Sequence, residues 1–222
     1  TKNNCNTATT NKATSIRILF CGFHCAAQSI VAANRRIFSK KSIIKLRATH
    51  IDSSNTNIPI SVDVTGLPVA SVCGELHWKY LLSDPDPAIR EQGVTALKVC
   101  LQDASAYNTD TVLLVPGRVS DTVTYDECWI RSTEEIKKAL PLAEKLQVKI
   151  GIENVWNNFL LSPMEAATYV DQFRSPMIGF YFDCGNILAY GWPEQWIKIL
   201  GRRVARVHIK EFSKKLAGEQ GN

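Results

Sequence analysis

Three residues stand where α/β proteins place their chemistry. Glu153 ends the apolar run KIGIE, Asp183 ends GFYFD, and His208 lies within RVHIK. Thirty residues separate the first two and twenty-five the second pair, each about one strand-plus-helix unit. Consecutive parallel strands would bring the three side chains together at one mouth of the sheet. Two carboxylates and an imidazole form a mixed oxygen and nitrogen donor set, suited to Mn²⁺, Mg²⁺, Co²⁺ or Zn²⁺ rather than to a thiolate site. A carboxylate at the end of an apolar run is costly to desolvate, and a divalent cation removes that cost. Taken singly, each residue has a plainer reading. A Glu after a strand is a cap or surface residue, an Asp before Cys-Gly-Asn a turn former, and a His in a strand a satisfied core residue.

The elements that must position them follow a rhythm from about residue 68 onward. Strand-like runs are expected at 68–73, 110–116, 148–154, 177–183 and 204–212. Between them lie helical segments. The first is capped by Ser83 or Asp84 and carries an apolar stripe of Ile89, Val94, Leu97, Leu101 and Ala104. The second covers 124–147, with Pro141 bending or splitting it. The third opens with Ser162 as N-cap, Pro163 at N1 and Glu165 at N3, a capping box. The fourth, PEQWIKILG, is closed by Gly201. Strands alternating with helices mean βα units and a parallel sheet, and nearly continuous apolar strands mean that helices cover it. An open doubly wound sheet and a (β/α)8 TIM barrel both fit. No Gly-x-Gly-x-x-Gly turn follows a strand, and polar residues recur at strand C-termini, which favours the barrel.

The 222 residues suffice for one large domain and one sizeable core. No apolar run approaches the roughly 20 residues needed to span a bilayer, and no secretory leader pattern is seen. The seven cysteines are an odd number and scattered, which reads as reduced thiols of an intracellular protein. Cys21 and Cys25 in CGFHC could form a small zinc site, but no second ligand pair accompanies them. Residues 1–60 hold nine Lys/Arg against one acid, Asp52, so the net +5 hides +8 there and −3 in residues 61–222. That argues against nucleic acid as a partner of the main domain. Residues 1–60 are expected as a divergent, basic, partly disordered segment, with IRILF and SIIKLRATHI as strands and AAQSIVAANRRIF as a short helix between them. Its Arg- and Ser-rich, acid-poor composition also resembles an organellar transit peptide, against a cytoplasmic default.

GIENVWNNFLLSP, YFDCGN and RVHIKEF resemble the sugar phosphate isomerase/epimerase family of xylose isomerase-like TIM barrels, which includes ketose 3-epimerases and hydroxypyruvate isomerases. VASVCGELHWKYLLSDPDPAIREQG and DTVLLVPG look like its third and fourth βα units, so the resemblance spans about residues 66–212. It implies a divalent metal held by Glu153, Asp183, His208 and a fourth ligand, a Glu after the last barrel strand. Ten residues follow VHIKEF, and the expectation is a barrel incomplete at its C-terminal end, with residues 61–222 as its domain. The resemblance also implies metal-assisted proton exchange through a cis-enediolate, with Glu153 as general base and the fourth Glu as its opposite number. Free-ketose epimerases of this kind carry a second Glu six positions after the first ligand, where this sequence has Phe159.

Asn186 could bond a sugar hydroxyl, and Lys210, on the same strand face as His208, could meet a phosphate or oxyanion. Trp156 could wall the pocket, with His77 and Trp78 at the same rim. Turn formation, solvation and loop packing are the plainer roles for these residues. The expected partner is a small sugar or sugar phosphate, with no nucleic acid, no membrane, and a homo-oligomer left open. Two readings of another class stand beside the isomerase. One is a catalytically inactive partial-barrel remnant or binding module. The other is an apurinic-site endonuclease, which needs more histidines than the four present.

Overall fold

The computed structural model describes the backbone of Ile44–Ala48 and residues 68–210. The strands are β1 (Ile44–Ala48), β2 (Val69–Gly74), β3 (Thr111–Leu114), β4 (Lys149–Glu153), β5 (Ile178–Asp183) and β6 (Val204–His208). All pairings are parallel, and the sheet order is β1-β2-β3-β4-β5-β6. A doubly wound sheet reverses its order at a switch point, and this one does not. The sheet also curls. Ser71 on β2 and Tyr181 on β5 are three strand spacings apart, about 14 Å on a flat sheet. Their hydroxyls nonetheless meet at 3.0 Å in the interior. β1 falls inside the expected strand SIIKLRATHI. The expected strand IRILF, the helix after it, and Cys5, Cys21 and Cys25 lie outside the described residues.

The helices cover the outer face. They are α1 (Pro87–Ala106), α2 (Tyr125–Leu146), α3 (Pro163–Asp171), α4 (Cys184–Leu188) and α5 (Pro193–Leu200), with a 3-10 turn at Glu75–Trp78 and another at Gly201–Arg203. Val112, Leu114, Ile150, Ile152, Ile178, Phe180 and Phe182 point outward into one core with Val94, Leu97, Leu101, Ile136 and Ala143. The alternate residues point inward, where Leu113, Val115 and Tyr181 form a smaller cluster. Gly151 also faces inward. A Cβ there would stand 3.1 Å from Tyr181 Cδ2, so the missing side chain is what admits the tyrosine ring.

Three local expectations are corrected. The cap of α1 is Asp86, whose Oδ1 accepts the Ala88 N–H at 2.8 Å, rather than Ser83 or Asp84. Pro87 disfavours helical torsions at residue 86, so the helix cannot start earlier. Asp84 instead accepts the Asp86 N–H, and Ser83 Oγ accepts the Arg118 N–H. Of the two effects expected of Pro141, bending or splitting, splitting is ruled out, since α2 runs unbroken from Tyr125 to Leu146. An interior proline costs about 3 kcal/mol. Pro141 is exposed, and Cys128, Ser132, Ile136, Ala139 and Ala143 anchor the helix on both sides of it. YFDCGN does not end in a simple turn, because Asp183 caps the short helix α4.

The Ser162 cap and Gly201 stand as expected. Ser162 Oγ accepts the Glu165 N–H, while the Glu165 carboxylate reaches the Leu161 N–H, one residue outside the box. Gly201 has φ +51° at the end of α5. Among the described residues, Cys73, Cys100, Cys128 and Cys184 form no disulfide. Among the described residues no helix is long and apolar enough to cross a membrane.

Candidate metal centre

Glu153, Asp183 and His208 occupy the C-terminal ends of β4, β5 and β6 and all three are buried. The register explains their convergence. Asp183 pairs with His208, and Glu153 pairs with Tyr181, two residues before Asp183, so all three side chains fall on the inward face. One ligand atom from each lies within 4.8 Å of the others, a group that could hold a metal ion. His208 Nδ1 stands 3.0 Å from Glu153 Oε1 and 3.1 Å from Asp183 Oδ2. His208 Nδ1 and Glu153 Oε1 are within hydrogen-bonding distance, the direction of the bond following the imidazole tautomer.

The two oxygens of Asp183 differ. Oδ1 accepts the Asn186 N–H at 2.8 Å, the capping bond of α4. Oδ2 is buried and faces His208 Nδ1 at 3.1 Å and Lys210 Nζ at 3.4 Å. Burial alone would raise the Asp183 carboxyl. Its bonds with His208 and the Asn186 amide, with the Lys210 charge behind them, outweigh burial and hold it below the ordinary carboxylate range. Two buried carboxylates and an imidazole whose ligand atoms converge form a donor set that fits a divalent cation.

The other expected residues divide. Asn186, Lys210 and Trp156 join the cluster. Asn186 is buried, donating from Nδ2 to the Asn154 carbonyl at 2.7 Å and accepting Lys210 Nζ at Oδ1. Trp156 is 62% exposed, so one face meets solvent, while its indole N–H donates to the Asn186 carbonyl. Lys210 Nζ lies 5.2 Å from the Trp156 ring centroid. His77 is buried in the 3-10 turn after β2, where it meets Trp78 edge-on and lines a narrow cleft with Leu76, Tyr80, Leu97 and Cys100. It shares the rim but sits two strands away from β4.

Two neighbours of the cluster were not legible in the sequence. Asn154 exchanges two hydrogen bonds with the Asp183 main chain, and its adjacency to Glu153 was the available signal. Tyr181 lies beneath His208, ring centroids 6.4 Å apart and nearly perpendicular. Gly185 leaves space for Lys210. A Cβ there would fall 2.4 Å from Lys210 Cγ, so the glycine makes room for the lysine stem.

A curled parallel sheet covered by helices, with acids and a histidine at its C-terminal rim, is the architecture of a TIM-barrel scaffold. The chain belongs to the xylose isomerase-like TIM barrel family, whose description matches residues 17–221. It is similar to the L-ribulose-5-phosphate 3-epimerase UlaE of Salmonella paratyphi A and of Salmonella typhimurium, at 26% identity over 152 residues. The match covers 68% of this chain and 54% of the relative, so the chain spans about half the length of the curated relatives it matches. Among solved structures, a D-tagatose 3-epimerase-like protein superposes with a TM-score of 0.68 at 17% identity, covering 86% of this chain and 74% of that one. D-psicose 3-epimerase of Clostridium cellulolyticum H10, solved with D-tagatose, gives 0.64 at 17% identity, covering 76% and 63%. These likenesses carry the fold.

Proposed function

We propose that this chain acts as a metal-dependent isomerase or epimerase on a ketose or ketose phosphate, with Glu153 as general base and Glu153, Asp183 and His208 as metal ligands. The observation that carries the reading is the convergence of those three buried donors within 4.8 Å at consecutive strand ends. The epimerase names of the relatives supply the substrate class. Bound there, a divalent cation would supply Lewis acidity to the carbonyl and adjacent hydroxyl of the sugar.

The chain's own residues do the rest. Glu153 removes the proton from the carbon beside the carbonyl, leaving an enediolate. His208, whose Nδ1 stands 3.0 Å from Glu153 Oε1, fixes the orientation of that carboxylate. Asp183, held ionised, offers Oδ2 to the same point. Lys210 and Trp156 meet the substrate on the open side, with Asn186 behind the lysine, and His77 closes the rim near β2. Inversion at the carbon needs a second acid on the opposite face. Exchange of the proton with solvent needs Glu153 alone.

The test is deuterium wash-in, read by NMR, at the carbon beside the carbonyl of ketoses and ketose 5-phosphates, with the full chain, Mn²⁺ and D₂O. The reading expects exchange by wild type and its loss in Glu153→Gln. Elemental analysis of wild type and Asp183→Ala accompanies it. Metal retained by wild type with no exchange on any ketose would favour a binding module over an enzyme. Equal, negligible Mn²⁺ uptake by both proteins would sink the metal site.

A further inference from the structure

Lys210 sits unusually for a cation that merely awaits a substrate. Its ammonium is 3.4 Å from Asp183 Oδ2, the oxygen that also faces His208 Nδ1 at 3.1 Å. It therefore occupies the neighbourhood of the best available ligand atom. Two further anchors hold it nearby, the Asn186 side-chain oxygen and the face of Trp156. The path of its stem is kept clear by Gly185, where a Cβ would collide with Lys210 Cγ at 2.4 Å. Backbone, amide and aromatic ring thus all receive one lysine.

We infer that Lys210 is a built-in counter-cation of the Glu153–Asp183–His208 cluster, which neutralises Asp183 when no metal is bound and competes with the metal for it. The inference rests on the metal-site reading above and adds a role for a residue that binds no metal. Two carboxylates packed together repel, and the ammonium relieves that repulsion in the metal-free chain. A divalent cation arriving at the same carboxylate meets the like charge of the ammonium. The coupling is reciprocal: by whatever factor the ammonium's contact with Asp183 weakens the metal, bound metal weakens that contact. Asn186 Oδ1 and the Trp156 face let the ammonium withdraw from Asp183 without leaving the site. The withdrawn ammonium then stands at the mouth, where an oxyanion of the substrate would find it.

The sign of one measurement separates this from a merely structural lysine. Mn²⁺ is titrated into the full chain by calorimetry for wild type, Lys210→Met and Lys210→Arg, and each metal-free protein is melted in EDTA. Lys210→Met keeps the stem and removes the charge. It is expected to bind Mn²⁺ about tenfold more tightly, the change that about 1.4 kcal/mol of relieved repulsion makes. Its metal-free melting temperature falls. Lys210→Arg keeps the charge and stays within about twofold of wild type in Mn²⁺ affinity. If Lys210→Met does not fold in EDTA, Lys210→Gln, which keeps a donor for Asn186, takes its place with the same expectation. Unchanged or weaker Mn²⁺ binding by the charge-removed variant overturns the inference and leaves the metal site standing. Absence of Mn²⁺ binding by wild type and variants alike overturns both.

Discussion

The side chain of Asn154 hydrogen-bonds both main-chain polar groups of Asp183, donating from Nδ2 to its carbonyl and accepting its N–H at Oδ1, each at 2.9 Å. β4 ends at Glu153, so an amide side chain continues the strand pairing one residue further. It fixes Asp183 relative to Glu153 while leaving the carboxylate unencumbered. The Asn154 carbonyl holds the Asn186 amide as well, which ties the first turn of α4 to the same point.

Asn154→Ala is therefore expected to cost about 1–3 kcal/mol, the penalty for leaving a buried donor and acceptor unpaired. It should also weaken Mn²⁺ binding, because Asp183 loses its tether. Urea denaturation and a metal titration of one preparation read both. Unaltered stability together with unaltered metal affinity would show that Asn154 positions nothing.

That tether marks the boundary of what the sequence disclosed. Glu153, Asp183 and His208 were legible because a carboxylate or imidazole ending an apolar run conflicts with burial, and the conflict recurs once per βα unit. The sheet class was legible for a similar reason, since strands covered by helices read as unbroken apolar runs. Asn154 was not legible, because an asparagine after a strand reads as a loop residue. Its use depends on a backbone twenty-nine residues away. Tyr181 is hidden in the same way. In IGFYFD every residue is buried, and only register decides which of them face the barrel interior. The purpose of Gly185 required the path of Lys210, which no spacing reveals.

The acid limb of stability should carry the signature of Asp183. Its carboxyl is held below the ordinary range in the folded chain, so it binds a proton more readily when unfolded. A depressed folded value contributes stability that is fully present above the unfolded value and is lost as pH falls through the folded one. Metal-free wild type should thus lose stability as the pH drops through and below the ordinary carboxylate range. Asp183→Asn should show a shallower slope there. Urea midpoints across a pH series in EDTA measure it, and parallel acid limbs for the two proteins would refute the assignment.

The contact between Ser71 and Tyr181 should behave as a coupled pair. Ser71 is fully buried and meets the Tyr181 hydroxyl at 3.0 Å across the interior. Tyr181→Phe leaves Ser71 Oγ with a lost partner, and Ser71→Ala does the same to the phenol. Each single change is expected to cost about 1 kcal/mol, and the double mutant less than the sum by about 0.5–1 kcal/mol. Strict additivity in a denaturation cycle would mean that the two hydroxyls do not interact, and with it would go the local case for a curled sheet.

Phe159 poses the sharpest question, because free-ketose epimerases of this family were expected to place a glutamate there. In this chain the ring is buried, with Tyr125, Tyr169 and Trp129 centroids at 5.2, 5.5 and 6.1 Å. These contacts join α2, α3 and the loop after β4 into one aromatic cluster on the outer side of the sheet. Restoring the glutamate would bury a carboxylate among aromatic rings, with no cation among those neighbours to pair with it. Phe159→Ala should cost about 3–5 kcal/mol from lost packing. Phe159→Glu should cost at least as much, because desolvation of the charge adds to the lost packing. The variant is accordingly expected to unfold early rather than to gain a substrate contact. Thermal melts of both variants, with proton-exchange assays on unphosphorylated ketoses, decide the matter. A well-folded Phe159→Glu protein that exchanges free ketoses faster than wild type would show that this position faces the substrate after all.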